Sequence, residues 1–72
     1  MSEKEYLKIL GKRIAEKREA LGISGEMLGK RVKLSRMHIY RIEKGAHPTN
    51  IIFLRRIAEE LSIPISDLVR IE

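Results

Sequence analysis

The stretch Ser24-Gly-Glu-Met-Leu-Gly-Lys-Arg-Val-Lys-Leu-Ser-Arg-Met-His-Ile-Tyr-Arg-Ile-Glu-Lys-Gly45 decides the fold, because it holds two short helical patterns back to back. Ser24 is a residue type whose side-chain oxygen accepts from the free N–H groups of a first helical turn. Glu26 follows in that turn, where a carboxylate suits the positive end of the helix dipole, and Leu28 and Val32 fall four apart on one side. Ser35 repeats the cap, Ile39 and Ile42 fall three apart, and Gly45 suits the left-handed residue that ends many helices. Only Lys33, Leu34 and Ser35 separate the two patterns. So short a connection forces a sharp angle and leaves the second helix projecting, which is helix-turn-helix spacing.

If Ile39 and Ile42 face the core, then Arg36, Met37, Tyr40, Arg41 and Lys44 share the opposite side of the second helix. That side is mostly basic. Residues 29–44 carry six Lys or Arg against Glu43 alone, so the net charge of +5 is concentrated here. An α-helix fits the DNA major groove, where an arginine fork can donate to guanine O6 and N7 together, and Met or Tyr can touch a thymine methyl or a phosphate. Ser24 and Ser35 open the two helices, so their hydroxyls and the nearby backbone N–H groups can hold phosphates as well as cap.

Upstream, Ser2 with Glu5 reads as a capping box, and Leu7, Leu10, Ile14 and Leu21 recur at helical spacing until Gly22. A first helix over about residues 3–21 follows. Downstream, Ala46 to Asn50 is a loop, and Asn50 can cap a fourth helix with Ile51, Leu54, Ile57, Ala58 and Leu61 inward. Ile63 and Pro64 lead into a fifth that carries Ile65 and Leu68. Nothing alternates like a strand, and no linker divides the chain. The expected architecture is all-α, a compact five-helix domain over residues 1–72 with its helix-turn-helix at about 24–44.

Two charges sit on apolar stripes. Arg18 shares the first helix's stripe with Ile14 and Leu21, and Glu43 lies four residues after Ile39. Unpaired buried charge is costly, so Arg18 and Glu43 are expected to pair and to clamp the first helix to the end of the third.

The chain has no cysteine, which excludes disulfides and thiolate metal sites. Asp67 is the sole aspartate, and His38 and His47 are well separated along the sequence, so no metal or other cofactor is expected. A His47 near a phosphate would bind best when protonated. The charged start and the absence of any apolar run of roughly 20 residues suggest a soluble, cytoplasmic protein with no signal segment or membrane span. No nucleophile–base pair, glycine-rich phosphate loop or paired carboxylates appear, which argues against an enzyme. A chain of this size buries only about 60% of its surface, so a second copy would help it, with Ile52 or Phe53 and Ile65, Val69 or Ile71 available for the contact.

The stretch 24–45 resembles the lambda-repressor-like, Cro-type helix-turn-helix family, also called the XRE family, and the likeness extends over roughly residues 9–70. Matching positions are Arg18, Leu28, Ser35, Ile39, Ile42, Glu43, Gly45, Leu54, Ala58 and Leu61, and the ending Ile63-Pro-Ile-Ser-Asp-Leu68. The resemblance implies a dimer that places its third helix in the major groove of double-stranded DNA at a palindromic operator. By position it puts Ser35, Arg36, Met37, Tyr40 and Arg41 at bases and adjoining phosphates, and Ser24, Gly25, Lys44 and His47 near the backbone. Three positions depart from the pattern. Gly25 stands where many relatives carry a glutamine that hydrogen-bonds a phosphate, Gly29 where alanine is usual at the helix crossing, and Lys33 where glycine is common in the turn.

The resulting expectation is a sequence-specific transcriptional regulator of the repressor or controller type. The alternatives are an antitoxin-type autorepressor with a toxin partner, and an adaptor that turns the same helix to a protein or RNA surface. Regulation through contact with polymerase is compatible with the first reading.

Overall fold

Side-chain caps set where four of the five helices begin. In the computed structural model, which describes residues 1–71, Ser2 Oγ accepts from the Glu5 N–H at 3.1 Å while Glu5 Oε1 accepts from the Ser2 N–H at 3.2 Å, opening α1 at Glu3–Ala20. Glu72, the last residue of the expected domain, lies outside the described residues. The hydrogen bond from the Ser2 backbone holds the Glu5 carboxyl below the usual carboxylate pKa. Ser24 Oγ accepts from Met27 N–H and starts α2, Gly25–Val32; Ser35 Oγ accepts from His38 N–H and starts α3, Arg36–Glu43. Asn50 Oδ1 accepts from Phe53 N–H and starts α4, Ile51–Glu60. The short α5, Ser66–Val69, has no side-chain cap.

The first four helices also end alike. Gly22, Lys33, Gly45 and Ser62 are left-handed, with φ of 70°, 63°, 71° and 57°. After each, the next N–H turns back to a carbonyl five residues earlier: Ile23 to Arg18, Leu34 to Gly29, Ala46 to Arg41 and Ile63 to Ala58, at 2.8–3.2 Å. These bonds occupy carbonyls that the helix itself leaves free. A side chain in the left-handed region costs roughly 1–2 kcal/mol, so the turn of the helix-turn-helix keeps its geometry and Lys33 carries the strain.

Ile14, Leu28, Val32, Ile39, Ile57 and Leu68 are fully buried, and Leu10, Ile42, Leu54, Ala58 and Leu61 complete the core. Two residues expected inside are not. Leu21 is 52% exposed because it follows the last turn of α1, and Ile23, past Gly22, packs against the core instead. Ile51 is 62% exposed because it is the first residue of α4, whose inward stripe is set by Leu54, Ile57, Ala58 and Leu61.

α3 packs between α1 and α2, α4 lies against α2, and α5 against α1. The α1–α3 approach is very close: a Cβ on Gly11 would stand 2.3 Å from the Ile42 carbonyl oxygen and 2.5 Å from that of Glu43. At Gly29 a Cβ would lie 2.5 Å from the Leu34 carbonyl oxygen, so the crossing expected for a small residue is tighter here than alanine tolerates without a shift. Elsewhere on α1 the Tyr6 hydroxyl donates to the Val69 carbonyl, and Arg13 Nη1 donates to the carbonyls of Arg70 (2.6 Å) and Asp67 (3.2 Å), which fastens α5 to α1.

Candidate nucleic-acid interface

The two faces of α3 differ completely. Ile39 and Ile42 are 1% and 3% exposed, while Met37 and Tyr40 are 53% and 56% exposed and Arg36, Arg41 and Lys44 also face solvent. α1 and α2 pack against α3, and the basic side stays open to solvent among the described residues. Ser35 sits at the exposed start of this helix, its hydroxyl engaged by the His38 N–H at 3.0 Å.

The far end of α3 is pinned to α1. Arg18 Nε donates to Glu43 Oε2 at 2.7 Å and Nη2 to Oε1 at 3.0 Å, a bidentate pair whose side chains are only 15% and 11% exposed. Arg18 Nη1 also donates to the Ile23 carbonyl at 2.8 Å. The hydrogen bond to Glu43 raises the Arg18 pKa, against the opposing effect of burial, so the guanidinium stays charged. A carboxylate at the C-terminal end of a helix opposes the helix dipole, and Arg18 offsets that. Gly11 and Arg18 are two helical turns apart on one face of α1, and both meet the last turn of α3.

In front of this pair lies an open hollow of about 380 Å³, lined by Gly25, Arg36, Met37, Ile39 and Tyr40 with Arg18 and Glu43 behind. The missing side chain of Gly25 helps to keep it open. Ser24, at the start of α2, spends its hydroxyl on the Met27 N–H at 3.0 Å. The Lys44 ammonium lies 5.6 Å from the centroid of the Tyr40 ring, a cation–π spacing. The same two residues line a second hollow of about 450 Å³ that also takes in Lys12 and Ala15 of α1. Lys12 was not singled out in the sequence; its only signal there is a position four residues after Lys8 on the polar side of the helix.

Arg41 and His47 do not line these hollows. His47 stacks its ring perpendicular to that of His38 with centroids 5.3 Å apart, beside a separate hollow of about 320 Å³ lined also by Pro48, Thr49, Asn50 and Phe53. The two histidines, distant in sequence, are therefore neighbours. Among the described residues no group of three or more His, Cys, Asp or Glu converges, and no helix is long and apolar enough to cross a membrane.

The structure is similar to that of the restriction-modification controller protein C.AhdI from Aeromonas hydrophila, with 29% identity over 86% of this chain and 94% of that one and a TM-score of 0.83. It is also similar in fold to the DNA-binding domain of BldD, with 22% identity over 96% of this chain and 99% of that one and a TM-score of 0.82. No curated protein matches the sequence. The helix-turn-helix family profile matches residues 14–68, which take in α2, α3 and α4 whole, most of the core and the Arg18–Glu43 pair. The chain belongs to the XRE-type, lambda-repressor-like helix-turn-helix family.

Proposed function

We propose that the chain is a sequence-specific, double-stranded DNA-binding transcriptional regulator that inserts α3 into the major groove. The observation that carries this reading is the solvent-facing row of Arg36, Met37, Tyr40 and Arg41 on a short helix whose opposite side is sealed in the core. Arg36 and Arg41 supply guanine-reading forks, Met37 and Tyr40 supply contacts to thymine methyls or phosphates, and Ser35 with its helix-start N–H groups holds an adjoining phosphate. Ser24, the Gly25 N–H, Lys44 and His47 flank the row and serve the backbone.

The protein works as a homodimer on a palindromic operator, in keeping with its small core and with the exposed Ile51 and Ile52. The likeness to a controller protein supports control of transcription by occupancy of an operator. Selection from a pool of random duplexes tests the whole reading. Enrichment of one palindromic sequence, bound with a steep inverse dependence on salt, is the expected result. Weak, sequence-blind recovery of the pool would overturn it in favour of an adaptor.

A further inference from the structure

The hollow beside the loop between α3 and α4 pairs His47, which the DNA reading sets near the backbone, with His38, to which that reading gives no part. His38, half-buried on α3, and His47, exposed in the loop, bring their imidazoles together with ring planes perpendicular and centroids 5.3 Å apart. Two imidazoles that ligate one ion through nitrogens about 2.0–2.1 Å away, at a tetrahedral angle, also place their ring centroids about 5 Å apart.

We propose that His38 and His47 form a two-imidazole site for a single divalent transition-metal ion, with water completing the coordination. The neutral imidazole nitrogens suit Cu²⁺, Ni²⁺ and Zn²⁺ and not the hard ions Mg²⁺ and Ca²⁺, and the ordinary affinity series puts Cu²⁺ first. With no third protein ligand among the described residues, the ion exchanges with solvent and is a signal instead of a permanent part of the fold. Binding joins the loop at residues 46–50 to α3 and adds positive charge beside the basic face. On the DNA-binding reading above, it therefore raises affinity for duplex DNA.

The test is calorimetric titration of the untagged full chain, without DNA, with CuCl₂, NiCl₂, ZnCl₂ and MgCl₂. The expected result is one ion per chain, tightest for Cu²⁺, and no binding of Mg²⁺. Loss of a group that merely orients a ligand costs about 10–100-fold in metal affinity, so His38→Gln and His47→Ala should each weaken Cu²⁺ by at least tenfold. His47 is an exposed loop residue, so its variant keeps the fold and remains informative if the His38 variant does not. Absence of saturable binding, or binding that His47→Ala leaves unchanged, would overturn the site. A parallel titration of a random 20-base-pair duplex with and without Zn²⁺ reads the coupling separately: tighter duplex binding supports it, and unchanged binding removes it while the metal titration still judges the site.

Discussion

The inner and outer sides of α3 are built on opposite terms. On the inner side every group has a partner: Ile39 and Ile42 are in the core, Glu43 accepts two hydrogen bonds from Arg18, and the backbone of the last turn rests on Gly11. On the outer side Arg36, Met37, Tyr40 and Arg41 are exposed, and among the described residues no salt bridge involves either arginine. On the proposed reading, the difference separates stability from recognition within eight residues. Side chains on one side should govern whether the protein folds, and those on the other should govern only what it binds.

The largest expected break in that contrast is on the inner side. Arg18→Ala leaves Glu43 charged and nearly buried, and should lower stability by about 3–5 kcal/mol in urea denaturation. A double replacement of Arg18 by Met and Glu43 by Leu should recover most of that loss, because apolar residues of similar volume need no partner. Gly11→Ala comes next. Its methyl would meet backbone oxygens of α3 that cannot move aside, and a destabilisation of about 1–3 kcal/mol is expected despite the roughly 1 kcal/mol gain in helix propensity.

Outer-side changes should leave melting within about 0.5 kcal/mol of the parent. Arg36→Ala and Arg41→Ala should instead cost about 1–3 kcal/mol of DNA binding and relax the preference at one base position each, whereas Lys44→Ala should weaken all sequences alike and reduce the salt slope by about one. Loss of stability in the first two variants would show that the separation of the two sides is false. The smallest effect belongs to the turn that joins α2 to α3. Lys33→Gly should raise stability by about 1 kcal/mol by removing left-handed strain, with no change in DNA binding, as measured by thermal melting and duplex titration.

The parts legible in the sequence were those with local causes. Ser2, Ser24, Ser35 and Asn50 each announce a helix because the N–H they bond lies three residues on, and all four do so in the structure. Arg18 and Glu43 were readable for another reason: a charge on an apolar stripe demands a partner, and each was the other's best candidate. Periodicity placed most of the core but misjudged Leu21 and Ile51, since a stripe does not reveal that its terminal turn passes beyond the covering helices. Closeness between distant segments left no trace at all. Nothing in the neighbourhood of Gly11, Lys12 or His38 in the chain foretells the carbonyls of α3, the Lys44 side chain or the His47 ring that each meets or faces.

The length of α3 has a consequence for information. Eight residues make a rod about 12 Å long at 1.5 Å per residue, and at about 3.4 Å per base step such a rod spans only three to four base pairs. A four-letter word in a four-letter alphabet recurs by chance on the order of once every few hundred base pairs, against about 10⁶–10⁹ positions in a genome. One copy of this helix therefore cannot spell an address. On the proposed dimeric reading, two in fixed register would lengthen the word to about eight letters and leave the remaining discrimination to the stiffness and groove width of the bases between them.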